Sequence, residues 1–307
     1  MELTTLMDCA TQWGCRITEQ APMAAATSFH IGGPADVLID IPSPDAVAAV
    51  VSCCQQQRIP FLVLGNGSNL LVGDKGFRGA VLRLKFADRV PTLTEDGILR
   101  CAAGISLTQL CVFARDHGLT GLEFAYGIPG TVGGAVYMNA GAYGGEMAQV
   151  LTTVTVVPLE GDDHTPVTLP ADKLALGYRH SALMDRFPAI VVEAAFRLQP
   201  GDADAITARM KELMAKRQEK QPLEYPSAGS FFKRPEGHFA GALIEQAGLK
   251  GYAVGGAQVS EKHAGFVINR NHATAADVLA LCRHVQHIIR EKDGVELEPE
   301  VRFIGEF

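Results

Sequence analysis

Several things this chain of 307 residues does not have narrow its class before any motif is read. It has no surplus of basic charge: 27 Lys and Arg face 34 Asp and Glu, for a net charge of −7. A nucleic-acid or anionic-membrane partner asks for the opposite sign, so neither is expected, although a local basic pocket for a small anion stays open. Long hydrophobic runs are missing too, and no window approaches the roughly 20 apolar residues of a membrane span. The N-terminal "MELTTLMDCATQWGCRITEQ" lacks a basic segment leading into an apolar one, so no signal peptide is read there. Cysteine is sparse and odd in number: Cys9, Cys15, Cys53, Cys54, Cys101, Cys111 and Cys282 are scattered, with no disulfide framework. They read as reduced, partly buried thiols of a cytoplasmic protein.

Nucleotide signatures are incomplete in the same way. There is no G-x-x-x-x-G-K-[ST] segment, which counts against a nucleoside-triphosphate hydrolase. "GNGSNL" follows the apolar run "FLVLG", but Leu70 stands where a dinucleotide fingerprint needs its third glycine. The residues after it make a poor amphipathic helix, so no helix N-terminus is expected to hold a pyrophosphate there.

What is present describes a soluble globular protein: 47% hydrophobic and 20% charged residues, in a length that fits two or three domains. Strands are expected at 35–42, 61–65, 80–86, 97–104, 150–159 and 190–198. Ser43 and Pro44 suit the cap and first turn of a helix, Ser106 caps a second that Gly118 stops, and a charged helix is expected over 204–221. Two more helices follow, the second capped by Thr274 and ended near Gly294. The last strand, "VELEPEVRF", alternates: Val295, Leu297, Pro299, Val301 and Phe303 fall on one face, Glu296, Glu298, Glu300 and Arg302 on the other.

Two glycine-rich segments carry the chemical interest. Gly65, Asn66, Gly67, Ser68 and Asn69 form an exposed loop whose backbone N–H groups can converge on phosphate oxygens. The stretch "GIPGTVGGAVYMNAGAYGG" has seven glycines in nineteen residues. It offers a tight turn at Gly127, Ile128, Pro129 and Gly130, then Gly133 and Gly134, then Asn139, Ala140 and Gly141. Glycine at this density serves positive φ or close backbone approach. Two such segments can clamp a flat ligand with a diphosphate at its middle; crowded turns where sheets cross account for them equally well. His284 and His287 share a helix face, but with no third ligand in view no metal is expected.

"TSFHIGGPAD", "LGNGSNLLV", "GIPGTVGGAVYMNAGAYG", "YRHS", "PSAGSFFKRP" and "LEPEVRFIG" occur in the order found in UDP-N-acetylenolpyruvoylglucosamine reductases, which the chain resembles from about Thr27 to its C-terminus. The resemblance implies an α+β fold of the vanillyl-alcohol oxidase/p-cresol methylhydroxylase type. Two FAD-binding subdomains, 1–86 and 87–218, the second rejoined by a C-terminal strand at 296–307, would precede an α+β substrate-binding domain at 219–295. It implies bound FAD, held by the two glycine-rich segments, and NADPH and UDP-N-acetylglucosamine enolpyruvate as alternating ligands.

By the same resemblance, Arg179 stabilises an enolate, Ser230 rather than Ser227 gives it a proton, and Glu300 completes the site. A guanidinium can grip a carboxylate bidentately. A serine can donate to so basic a carbon if a cation such as Lys233 or Arg234 favours its alkoxide. Glu300 beside an enolate is expected to hold its own proton tightly and donate a hydrogen bond. Lys250, and less strongly Lys262 and His263, are candidates for the substrate's diphosphate. On the residues alone, Arg179 reads as a surface arginine, Ser230 as a turn serine and Glu300 as a solvated glutamate. Only fifty positions separate Arg179 from Ser230, which matches the family's shorter form, without the tyrosine loop that covers substrate in the longer one. His180 stands where many relatives have aspartate. An FAD-dependent alcohol or hydroxy-acid oxidase and a non-catalytic nucleotide-binding module are the alternative readings.

Overall fold

The computed structural model describes residues 2–87 and 90–307. The chain separates into two compact units: residues 1–18, 37–65 and 79–216 form the first, and 19–36, 66–78 and 217–307 the second.

In the first unit, α1 (Glu2–Gln12) buries Leu6 and Ala10. Its neighbour α2 (Pro44–Gln56) starts as expected, with Pro44 in its first turn and the Ser43 hydroxyl accepting from Ala46 N–H at 3.2 Å. The strand Phe61–Leu64 then runs parallel to Phe77–Leu84, Phe61 opposite Ala80. Arg83 grips Asp40 with both arms, Nε to Oδ1 at 2.5 Å and Nη2 to Oδ2 at 2.9 Å. After Gly65 the chain turns through a loop into the short strand Leu70–Val72, with no helix, so the dinucleotide fold is absent here.

The rest of this unit is built on an antiparallel five-stranded sheet. Its order is Val167–Pro170, Leu151–Pro158, Ala189–Arg197, Ile98–Ala102, Thr92–Leu93. α3 (Leu107–Asp116) opens with a reciprocal capping box between Ser106 and Gln109. α4 (Val132–Tyr137) is a short helix inside the glycine-rich stretch, capped by Thr131. α5 (Ala203–Lys220) is the charged helix, its apolar stripe reduced to Ile206, Met210 and Leu213.

The second unit has its own core around Phe29, Leu71, Phe231, Val278 and Val285. Its sheet runs Ser227–Ser230, Phe266–Asn269, Ala257–Val259, Ala253–Val254, all antiparallel. α6 (Ala240–Gln246) and α7 (Ala275–Asp293) belong to this unit. α7 buries Ala275, Val278, Leu281, Cys282, Val285 and Ile289, one stripe at helical spacing. Its first turn is doubly capped: Thr274 and Asp277 form a capping box, and the Asp74 carboxylate accepts from Ala275 and Ala276 N–H at 2.7 and 3.0 Å. Gly294 ends it in the left-handed region, φ 67°.

The C-terminal segment departs from expectation. Only Arg302–Ile304 forms a strand, parallel to Leu70–Val72, and 295–301 does not. Pro299 has no N–H to contribute to a ladder, and the segment is held by separate bonds to the backbone around Phe231. Leu297 and Val301 are buried, but Phe303, expected on the same face, is 37% exposed. Its pairing with Leu70–Val72 joins the final strand to the second unit.

Candidate active site

In the second unit, four pieces distant in sequence converge. The strand Ser227–Ser230 carries an irregular register against Phe266–Asn269 at Gly229, whose φ is +79°. A bulge of this kind re-aims the residue that follows it. Ser230 is exposed at the strand's end, while Phe231 and Phe232 turn into the core. Phe231 O then accepts from Glu300 N–H at 2.8 Å, which sets the half-buried Glu300 beside Ser230 along the backbone. The glycine-rich loop joins them: Asn69 Nδ2 donates to Glu300 O at 3.2 Å, and Arg302 N–H donates to Asn69 O at 3.0 Å. Ser28, from "TSFHIGG", braces the group, its hydroxyl donating to Ser227 O at 2.7 Å and its N–H to Gly67 O at 3.2 Å. The backbone carbonyl of Ser227 is tied into the scaffold, and Ser230 is exposed.

The cationic candidates lie in this unit as well. Lys233 is ion-paired with Glu298, and its N–H donates to Glu298 O at 2.8 Å. The Arg234 guanidinium sits 4.6 Å from the centre of the Phe239 ring. Lys250 pairs with Glu245 at 2.5 Å, and Lys262 reaches Gln218 O at 2.7 Å. His263 is not a ready cation. Burial, with the charge of Lys250 adding to it, holds its imidazole below the ordinary histidine range. Its Nδ1 accepts from Gly265 N–H at 3.0 Å, which assigns the ring proton to Nε2. A neutral Nε2–H donor is what it offers a ligand.

In the first unit, Arg179 occupies the third place of the tight turn Gly177–His180. Gly177 N–H donates to His180 O at 3.0 Å and His180 N–H to Gly177 O at 3.2 Å. Arg179 has φ +54°, a region that such a turn fills with Gly or Asn. For another residue it costs roughly 1–2 kcal/mol. Its guanidinium lies 5.3 Å from the Tyr178 ring centre. His180 pairs through Nε2 with Asp185 Oδ2 at 3.0 Å.

Not every glycine of the long stretch is open to a ligand. A carbon added at Gly133 would lie 2.8 Å from Cβ of Ala103, and its N–H donates to Ala103 O at 2.9 Å. This glycine lets α4 sit directly on backbone. One added at Gly65 would lie 2.5 Å from Thr131 Oγ1. Gly134 has only Thr131 Oγ1 within reach, at 3.4 Å. Asn139 is 1% exposed, with both ends of its amide bonded inside the protein.

Two family models match the chain. One, described as UDP-N-acetylenolpyruvoylglucosamine reductase, C-terminal domain, covers residues 221–304, and one described as FAD binding domain covers residues 35–164. The reductase of Lachnoclostridium phytofermentans is 49% identical over 294 residues, 95% of this chain and 94% of that one. This chain belongs to the UDP-N-acetylenolpyruvoylglucosamine reductase family. The family member from Limosilactobacillus fermentum is 50% identical over 94% of each chain. The crystal structure of the Thermus caldophilus reductase superposes with a TM-score of 0.78 at 36% identity, covering 94% of this chain and 98% of that one.

As a member of this reductase family the chain is an FAD-dependent oxidoreductase of α+β fold. Its backbone fits the cofactor. Among the described residues, the amide N–H groups of Gly67, Ser68 and Asn69 meet no protein acceptor, and neither do those of Gly127, Gly130 and Thr131. Unpaired backbone donors in partly buried loops call for an acceptor-rich ligand, and a diphosphate is one. No group of three or more His, Cys, Asp or Glu that could hold a metal occurs among the described residues. No described helix is long and apolar enough to cross a membrane.

Proposed function

We propose that this chain reduces UDP-N-acetylglucosamine enolpyruvate to UDP-N-acetylmuramate, the lactyl ether of peptidoglycan precursor synthesis, with NADPH as reductant. The observation that supports the reading is the backbone bond from Glu300 N–H to Phe231 O, which brings the chain at residue 300 alongside the end of the strand Ser227–Ser230, next to the Asn69 loop. Bound FAD would supply the hydride for the vinyl carbon, and the backbone donors of residues 67–69 and of 127, 130 and 131 would hold it.

The chain's own residues handle the charge and the proton. Hydride addition leaves negative charge on the α-carbon that spreads into the carboxylate. Arg179 stabilises that charge with a planar pair of donors, and Glu300, carrying its proton, adds a hydrogen bond. Ser230 Oγ gives its proton to the α-carbon and recovers one from solvent. The cationic Lys233, three residues on, favours the transient alkoxide. Lys250 and Arg234 face the diphosphate, and His263 contributes an N–H rather than a charge.

Ser230→Ala tests the assignment. NADPH should bleach the flavin of this variant as fast as it does in the parent protein. Reoxidation by the enolpyruvyl substrate should fall by about 100-fold or more, the range of a positioned proton donor. A variant that forms product at the parental rate would remove Ser230 from the mechanism.

A further inference from the structure

We infer that Asn139 and Ser181 are positioning residues for Arg179, clamping its turn from both sides onto the end of α4; this rests on the role proposed above for Arg179. The two residues inside the turn, Tyr178 and Arg179, include neither the glycine nor the asparagine that a positive φ favours, so its shape has to be imposed by what flanks it. On the leading side, Asn139 Nδ2 donates to Gly177 O at 3.0 Å, the same carbonyl that closes the turn. On the trailing side, the Ser181 hydroxyl donates to Tyr137 O at 2.7 Å. Asn139 is 1% exposed and Ser181 0%, so water offers neither a substitute partner.

The orientation of the Asn139 amide is itself fixed. Its Oδ1 accepts from Ala148 N–H at 3.0 Å, which leaves the NH2 end, and only that end, for Gly177. Both anchors thus leave residues 137–139 of the glycine-rich segment, two positions apart, and seize the turn at its two ends. A residue so held has its backbone set before substrate arrives. A shift of about 1 Å in such a catalytic group costs on the order of 100-fold in rate.

The test compares Asn139→Asp, Ser181→Ala and Arg179→Ala, singly and with Arg179→Ala as background. Asn139→Asp keeps the acceptor for Ala148 but sets a carboxylate oxygen against Gly177 O. Anaerobic stopped-flow separates flavin reduction by NADPH from reoxidation by UDP-N-acetylglucosamine enolpyruvate. The clamp predicts reoxidation slowed about tenfold in Ser181→Ala, with reduction rate and FAD content unchanged, and about 100-fold in Asn139→Asp. On the Arg179→Ala background neither should slow it further, since both act through that side chain. In FAD-free protein, the amides of 177–181 should exchange with deuterium faster in either variant than in the parent.

Equal slowing of both half-reactions, or losses that add to that of Arg179→Ala, would overturn the clamp. If Asn139→Asp does not fold, Ser181→Ala and its double variant decide alone. An Arg179→Ala protein with undiminished reoxidation would overturn the role of Arg179 and this inference with it. A slow Arg179→Ala beside an unaltered Ser181→Ala would overturn the clamp only.

Discussion

At the scale of single residues, the neutral imidazole of His263 gives the second unit a predictable response to acid. The sign follows from where the proton binds more tightly. An unfolded histidine takes one near the ordinary value of about 6.5, and the folded His263 takes it only at lower pH. As pH falls through the unfolded value, the unfolded chain gains protons that the folded one does not, so stability declines and then levels below the folded pKa. Urea unfolding at a series of pH values between 8 and 5 should show that decline, and His263→Gln should flatten it. An identical pH profile in the variant would mean that another group titrates.

Residue roles were the least legible in the sequence. Nothing in composition marks the register shift between Ser227 and Ser230, because it depends on pairing with residues about forty positions away. Ser28 and Ser181 stood inside noticed motifs without a role, because a hydroxyl bonded to a distant carbonyl leaves no periodic mark. The strain at Arg179 was equally hidden, since neither glycine nor asparagine marks its turn.

Among the elements, caps and periods read well because they are local. Ser43, Ser106, Thr274 and Gly294 end or begin helices where the sequence puts them. The final segment did not, since its alternation mimics a strand while Pro299 and the bonds to Phe231 and Lys233 break the ladder into single contacts. α4 separates two uses of glycine that the sequence left merged. Gly133→Val should cost about 1–3 kcal/mol in thermal or urea unfolding of the FAD-free protein, because the new side chain meets Ala103. Gly134→Ala meets only Thr131 Oγ1 and should unfold like the parent. Any loss of FAD affinity in Gly134→Ala then reports on the cofactor and not on the fold. A Gly134→Ala protein that unfolds early would contradict the division.

On the scale of the whole molecule, the chain passes five times between its two units, so neither is a contiguous stretch of sequence. No local pattern in the sequence marks those crossings. The division depends on pairings such as Leu70–Val72 with Arg302–Ile304, which no local pattern announces. The family, by contrast, was legible because its six motifs are specific and in order.

The central claim is the reaction, and an anaerobic absorbance experiment on the FAD-loaded protein tests it most directly. NADPH is added until the flavin band near ~450 nm is bleached, a transition that belongs to the cofactor itself. UDP-N-acetylglucosamine enolpyruvate is then introduced without oxygen. Rapid return of the band, with a product heavier by two hydrogens, is the result predicted here. A band that stays bleached until air is admitted would contradict the reductase reading.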